Sequence, residues 1–312
     1  MNSVSFGGDD GTAFIGLETP EARTASVDLH YRIDRVLADG ALFLPKDMDQ
    51  KWAIFFHKNK ILFVRSWTRQ VQAIAEVPTE GQEAIITGLQ GTFGGAEEDA
   101  TFSVQVLDYL MRSHALGLQY PAPLPPSLDH ALDKAAGWCF SMFGNLAHFA
   151  TPSKLTGSAP KEPLRTYSTL HIAAARGDVE RTKALLDAGV PVDLIGRDGM
   201  PPLHWALIGG NTAVQVLLLS RGSPIDVRSN GGVTALMETV VRERFDRAKR
   251  LDQAIFLLDH GADPNAADDR GFTALHRAAD KGELDFVRLF VAARRATKPR
   301  SARSHPSITC GS

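Results

Sequence analysis

The feature that most constrains this chain is a repeat running from Tyr167 to Ala296. Ser168-Thr169-Leu170-His171 returns as Pro201-Pro202-Leu203-His204, as Thr234-Ala235-Leu236-Met237 and as Thr273-Ala274-Leu275-His276. Leu170 to Leu203 and Leu203 to Leu236 are both 33 residues apart, and Leu236 to Leu275 is 39. A second marker keeps step: Leu185-Leu186-x-x-Gly189, Leu218-Leu219-x-x-Gly222 and Leu257-Leu258-x-x-Gly261. In the second unit Leu203, Ala206 and Leu207 share one helical face. Pro202 suits a first helical turn, where a missing N–H costs nothing. Gly209-Gly210 ends that helix, Ala213 to Leu219 makes a second, and Gly222 can take the left-handed position that closes it. Such a unit cannot bury its own apolar face. Neighbours must stack, and stability becomes a sum of unit and interface terms.

The period and both markers resemble the ankyrin repeat, over roughly 130 of the 312 residues. The resemblance implies an all-α solenoid of four units, 166–198, 199–231, 232–270 and 271–297, each two antiparallel helices and a finger-like turn. It also implies a concave face that binds a protein partner through the finger turns and the ends of the first helices. Carried onto this chain, those positions are Tyr167, Arg176, Arg197, Asp198, Met200, Ile208, Asn230, Val233, Arg242, Asp269, Arg270, Phe272 and Lys281. Asp198 and Asp269 are the ones expected to shape turns only. In the same pattern the histidines at 171, 204 and 276 tie a helix start to the neighbouring turn, and are not ligands. Met237 replaces this histidine in the third unit, so that junction is expected to be softer. The third unit also holds six extra residues within Arg242 to Arg250. They can emerge on the binding face or simply lengthen a solvated helix pair.

The rest of the chain is bounded by composition. The net charge is −2, which gives no general pull toward nucleic acid or anionic membrane. Two cysteines, Cys139 and Cys310, make neither a disulfide framework nor a metal-spaced set, which points to a reducing compartment. The first ten residues lack a basic region and a long apolar core, and no apolar run reaches the ~18 residues of a membrane helix. The expectation is a soluble cytoplasmic protein without cofactor, metal or membrane; export by a route without a cleaved leader would leave the same composition.

Ahead of the repeats the chain reads as a multidomain partner, a small α+β domain over 21–127 with an antiparallel sheet. Residues 1–20 are expected to be a flexible N-terminus. A helix is expected from Glu21 to Ala38, with Leu29, Ile33, Val36 and Leu37 on one face. Trp52 to Phe56 and Ile61 to Arg65 read as a hairpin around His57-Lys58-Asn59-Lys60, Asn tolerating the positive φ of a tight turn. Val71 to Val77 alternates as a strand, and Ala84 to Thr87 is a fourth. Asp99 to Leu116 reads as an amphipathic helix closed by Gly117. After a proline spacer, Leu128 to Ala150 reads as a helix too apolar to stay wet, docked on the sheet or plugging the first repeat. Residues 151–165 have linker composition. The 298–312 tail is basic: a disordered end is expected, with salt-sensitive nucleic-acid contact as a minor alternative.

Asp47 to Phe56, followed by Phe63-Val64-Arg65-Ser66-Trp67-Thr68, resembles small uncharacterised bacterial domains, a resemblance that brings no activity with it. Two functional readings stand. In the first, the protein is a non-catalytic binding protein, an adaptor or one that neutralises a toxin or effector. In the second, the N-terminal domain is an enzyme or effector module that the repeats deliver. Asp49 or His57 would then be a general base and Arg65 an anion clamp beside Trp67. No elbow-glycine serine, metal-spaced His/Glu pair or phosphate loop accompanies them. The discriminator is whether Asp49, His57 and Arg65 converge on one cleft.

Overall fold

A computed structural model describes residues 9–21, 23–34, 36–47, 49–94, 99–128, 132–147, 163–241 and 246–297. The chain divides into two compact units, Met1–Leu217 and Leu218–Ser312. The division falls inside the second repeat, not at the start of the array.

The first unit is built on an antiparallel sheet. In chain order its strands are β1 (Thr24–Arg32), β2 (Gly40–Phe43), β3 (Trp52–His57), β4 (Lys60–Arg65), β5 (Val71–Glu76), β6 (Thr79–Glu80), β7 (Glu83–Gly91) and β8 (Tyr167–Ser168). Their spatial order is β1-β7-β5-β4-β3-β2-β8, with β6 also paired to β7. The expected β3–β4 hairpin forms with Lys58 and Asn59 both at positive φ, 44° and 63°, as a two-residue turn between twisted strands requires.

Residues 24–32 correct the helix expected at 21–38. Val27, Tyr31 and Ile33 are buried while their neighbours alternate outward, and β1 pairs with β7. A period of two over β-branched and aromatic residues outweighs the looser helical spacing; Val36, assigned to the helical stripe, is exposed. Residues 9–20, expected to be flexible, carry packed side chains. Phe14, in a short turn at Thr12–Phe14, is buried and stacked on Phe55 at 5.4 Å, and Asp9 pairs with Arg69. Residues 1–8 lie outside the described part.

One sheet face is covered by α1 (Ala100–Leu110) and α2 (Leu132–Phe143). Asp99 caps α1 by accepting the Phe102 N–H at 2.7 Å. Met111–Ala115 then continues as a π-helical turn, with the Leu116 N–H donating to the Met111 carbonyl at 2.9 Å. Of the two places open to the apolar helix, α2 takes the sheet. Cys139, Met142 and Phe143 join Trp52, Phe63 and Tyr109 in one core. Trp52 Nε1 donates to the Met142 carbonyl at 2.7 Å, and Tyr109 Oη to that of Leu146 at 2.9 Å.

The opposite sheet face is closed by Phe14 and by Ile172 of the first repeat, against Ala53, Phe55, Leu62 and Val64. The repeat is joined to the sheet in backbone as well. Gly40 pairs with Ser168 and Ala41 with Tyr167. The linker's last residues are bound too: Leu164 is buried and pairs with Ile33, and Arg165 pairs with Asp34 at 2.6 Å. Residues 151–162 lie outside the described part.

The helices of the array are α3 (Thr169–Arg176), α4 (Val179–Asp187), α5 (Pro202–Gly209), α6 (Thr212–Ser220), α7 (Ala235–Val241), α8 (Arg247–Asp259), α9 (Ala274–Asp280) and α10 (Leu284–Thr297). They fall in pairs, as the two markers require. The 298–312 tail is outside the described part.

Candidate partner-binding surface

The array's fingers are one turn built three times. Gly196 N–H donates to the Met200 carbonyl at 2.9 Å, Ser229 to Val233 at 2.9 Å, and Asp268 to Phe272 at 2.8 Å. The fourth residue of each turn is glycine, Gly199, Gly232 and Gly271, at φ 76°, 76° and 83°. Only glycine takes that region without strain, so Gly spacing tracks the repeat. In the second finger Asp198 accepts the Met200 N–H at 3.0 Å and Trp205 Nε1 at 3.2 Å. In the fourth, Asp268 accepts the N–H groups of Arg270 and Phe272, both at 2.9 Å, and Arg277 Nη2 at 2.7 Å. Asp198 thus holds its turn. In the last finger the shaping residue is Asp268, whereas Asp269 is exposed and pairs with Arg228 at 3.0 Å.

The starts of α3 and α9 are capped by the repeat's own histidines. His171 Nδ1 accepts from the Ser168 N–H (3.2 Å) and hydroxyl (2.7 Å), and Nε2 donates to the Met200 carbonyl at 3.0 Å. That last bond reaches the neighbouring finger, as the repeat pattern implies. Burial pushes the ring's pKa down to about 4, so it stays neutral. His276 forms the same local cap with Thr273, at 3.1 and 2.9 Å.

The proposed contact residues separate into three sets. Tyr167 and Arg197 are half-buried and engaged inside the first unit: Tyr167 lies 4.9 Å from the Trp205 ring, and Arg197 Nη1 donates to the His114 carbonyl. Met200, Ile208 and Val233 are half-buried. Arg176 is exposed in the first unit; Asn230, Asp269, Arg270, Phe272 and Lys281 are exposed in the second. Phe272 is 48% exposed, a large apolar ring at a finger tip. Arg242 lies outside the described residues.

In the second cluster His57 stands apart from Arg65. Trp52 pairs with Arg65 at one end of the β3–β4 hairpin and His57 with Lys60 at the other. Five residues of strand separate them by ~16 Å. They also face opposite ways: the Arg65 guanidinium lies over the Trp52 ring at 4.3 Å, on the α2 side, whereas His57 follows Phe55 onto the other face and pairs with Asp39 at 2.7 Å. Arg65 is spent on α2, donating to the Met142 carbonyl at 2.9 Å, and burial lowers its pKa to about 10. The Asp49 carbonyl accepts the Asn145 N–H. His57 and Arg65 therefore do not share a cleft. Among the described residues no group of three His, Cys, Asp or Glu could hold a metal ion.

What the sequence reading missed is a surface triad. The Lys51 ammonium lies 4.9 Å from the Trp67 ring and 5.1 Å from the Phe140 ring. Trp67 is 56% and Phe140 49% exposed. The signal was Phe140 itself, an aromatic one position off the Cys139–Phe143 stripe of α2.

The comparisons with known proteins fall on the array. Residues 170–268 match the family Ankyrin repeats (3 copies), and 247–291 match Ankyrin repeats (many copies). The E3 ubiquitin-protein ligase KEG of Arabidopsis thaliana is 37% identical over 119 residues, 38% of this chain and 7% of that protein. The palmitoyltransferase ZDHHC13 of Mus musculus is 32% identical over 104 residues, 33% of this chain and 16% of its own. Neurogenic locus notch homolog protein 2 of Homo sapiens is 35% identical over 123 residues, 39% and 5% respectively. The chain thus spans well under a fifth of these relatives, and what they share with it is the repeats. No helix among the described residues is long and apolar enough to cross a membrane.

Proposed function

We propose, from the premise that residues 170–291 are an array of ankyrin repeats, that this protein is a non-catalytic binding protein whose later fingers hold a protein partner. The observation that carries this is the last finger. Its backbone is fixed by Asp268, which accepts three donors, so Arg270 and Phe272 are presented on a rigid turn. A rigid aromatic beside an arginine is the composition of interface hot spots, and preorganisation lowers the ordering cost of binding. Lys281, Asn230 and Val233 extend the surface. An adaptor is one form of this reading, because the first unit has its own exposed cluster in Trp67, Lys51 and Phe140. A protein that masks an effector is another.

The test is capture from a lysate on immobilised full-length chain, compared with Phe272→Ala, Arg270→Ala and Trp67→Ala. Loss of the same captured protein in the first two, and its retention in the third, is expected. A protein lost only with Trp67→Ala would move the binding function to the first unit.

A further inference from the structure

We propose that a cavity in the first unit binds a small organic anion through a carboxylate or phosphate group. The cavity has a volume of about 400 Å³, within the ~300–1,000 Å³ of small-molecule sites. Its polar lining is Lys46, Gln50, Ser113, Gln119, Tyr167 and Arg197. Two of these are cations and none of the lining residues is acidic. Phe43, Leu118 and Leu146 give it an apolar end, so an organic molecule fits better than a bare ion.

The polar groups are held, not merely near. Met111–Ala115 makes a wide π turn, a feature that recurs at functional sites. The turn ends the helix with the His114 carbonyl unpaired by the helix itself, and Arg197 Nη1 takes that carbonyl. The guanidinium is thereby held at the cavity wall, where its charge is what an oxyanion would meet. Burial lowers its pKa, as for any desolvated cation, but a guanidinium starts so high that it stays charged. The Tyr167 hydroxyl is pushed up to about 12, chiefly by burial, and so remains a donor. Gln50 is buried, and its side-chain oxygen accepts the Lys46 N–H at 2.8 Å, which fixes the amide at the cavity wall. Ser113 donates to the Tyr109 carbonyl at 2.6 Å and therefore accepts from His114 Nδ1, which keeps its hydroxyl fixed. The arrangement brings arginine from a finger turn, tyrosine from a sheet edge and glutamine from a loop around one volume. A finger arginine aimed inward in this way cannot also serve an outside partner.

The test uses full-length protein titrated with inorganic phosphate and, separately, with citrate, in chloride buffers of matched ionic strength. Tryptophan fluorescence is a direct readout, because Trp205 touches Tyr167 and bonds Asp198 next to Arg197; Trp205→Phe identifies its share. Saturable binding of either probe is expected, the responding probe naming the acid group. Removing one charge-assisted donor set with Arg197→Gln should weaken it roughly 10- to 100-fold. Lys46→Gln, an exposed position whose loss leaves the fold intact, should weaken it by several-fold, while Lys183→Gln, exposed and outside the lining, should leave it unchanged. No saturable response to either probe, or equal affinities in Lys46→Gln and the parent, would overturn the site.

Discussion

At the start of the array, His171 takes Ser168 on one ring nitrogen and the Met200 carbonyl of the next finger on the other. In the third unit the equivalent position is Met237, fully buried, and the hydroxyl of Thr234 has no hydrogen-bond partner among the described residues. The third unit joins its neighbour by another route. Arg250 of α8 is buried; its Nη1 donates to the Val240 carbonyl at 2.9 Å and its Nη2 meets Glu283 of the fourth unit at 2.7 Å. Arg247 adds Glu283 at 3.0 Å and Asp285 at 3.1 Å. One junction is thus made by a neutral ring and the other by a cation that holds a carbonyl and a carboxylate at once. The lesson is that a repeat can lose its signature residue and still be tied, provided another side chain reaches the neighbour. The softness expected of the third junction follows from Met237 alone and leaves Arg250 out.

The largest effect is expected at Arg250. Arg250→Ala strips the Val240 carbonyl and Glu283 of a buried partner and should cost roughly 3 kcal/mol in urea unfolding. A loss below ~1 kcal/mol would mean that the ion cluster is decorative.

The next effect is set by pH. His171 is neutral when folded, down to about pH 4, and takes up a proton near 6.5 when unfolded. The unfolded chain therefore binds protons first as pH falls. This histidine's contribution is complete above 6.5, declines between 6.5 and about 4, and is gone below that, on the order of 3 kcal/mol in all. Buried His114, pushed down to about 3, acts in the same direction. Replacing His171 with Gln should flatten the decline between pH 6.5 and 4; an unchanged slope would assign it to other groups.

A smaller change runs the other way. Met237→His would give Thr234 the partner that Ser168 and Thr273 have, and should stabilise by about 1 kcal/mol. Destabilisation there would show that Met237 volume matters more than the bond. Phe272→Ala comes last: an exposed ring should change stability by less than ~0.5 kcal/mol while removing the captured partner. A large stability loss would mean that the finger tip is structural.

How much of this could be read beforehand depends on the distance over which the signal acts. The repeat is legible because Leu170, Leu203, Leu236 and Leu275 state a period that no local context alters. The β3–β4 hairpin is legible for the same local reason. β1 was misread because Leu29, Ile33, Val36 and Leu37 satisfy a helical spacing, while Val27, Tyr31 and Ile33 satisfy a strand. Only β7, more than fifty residues on, decides between them. His57 and Arg65 fail to meet because of parity. Residues of one strand at odd spacing face opposite ways, and Trp52 and His57 differ by five. β8 was invisible, because two residues become a strand only when Gly40 and Ala41 are there to pair with them. The cavity was invisible for a like reason: its walls come from five separate stretches.

The first repeat belongs to the sheet unit. Native-state hydrogen exchange on the full chain tests it most directly. The amides of α3 should open together with those of β3 and β4, at the same free energy and with the same denaturant dependence, and separately from those of α8 and α9. Exchange of α3 in step with α8 and α9, while β3 and β4 stay closed, would contradict it.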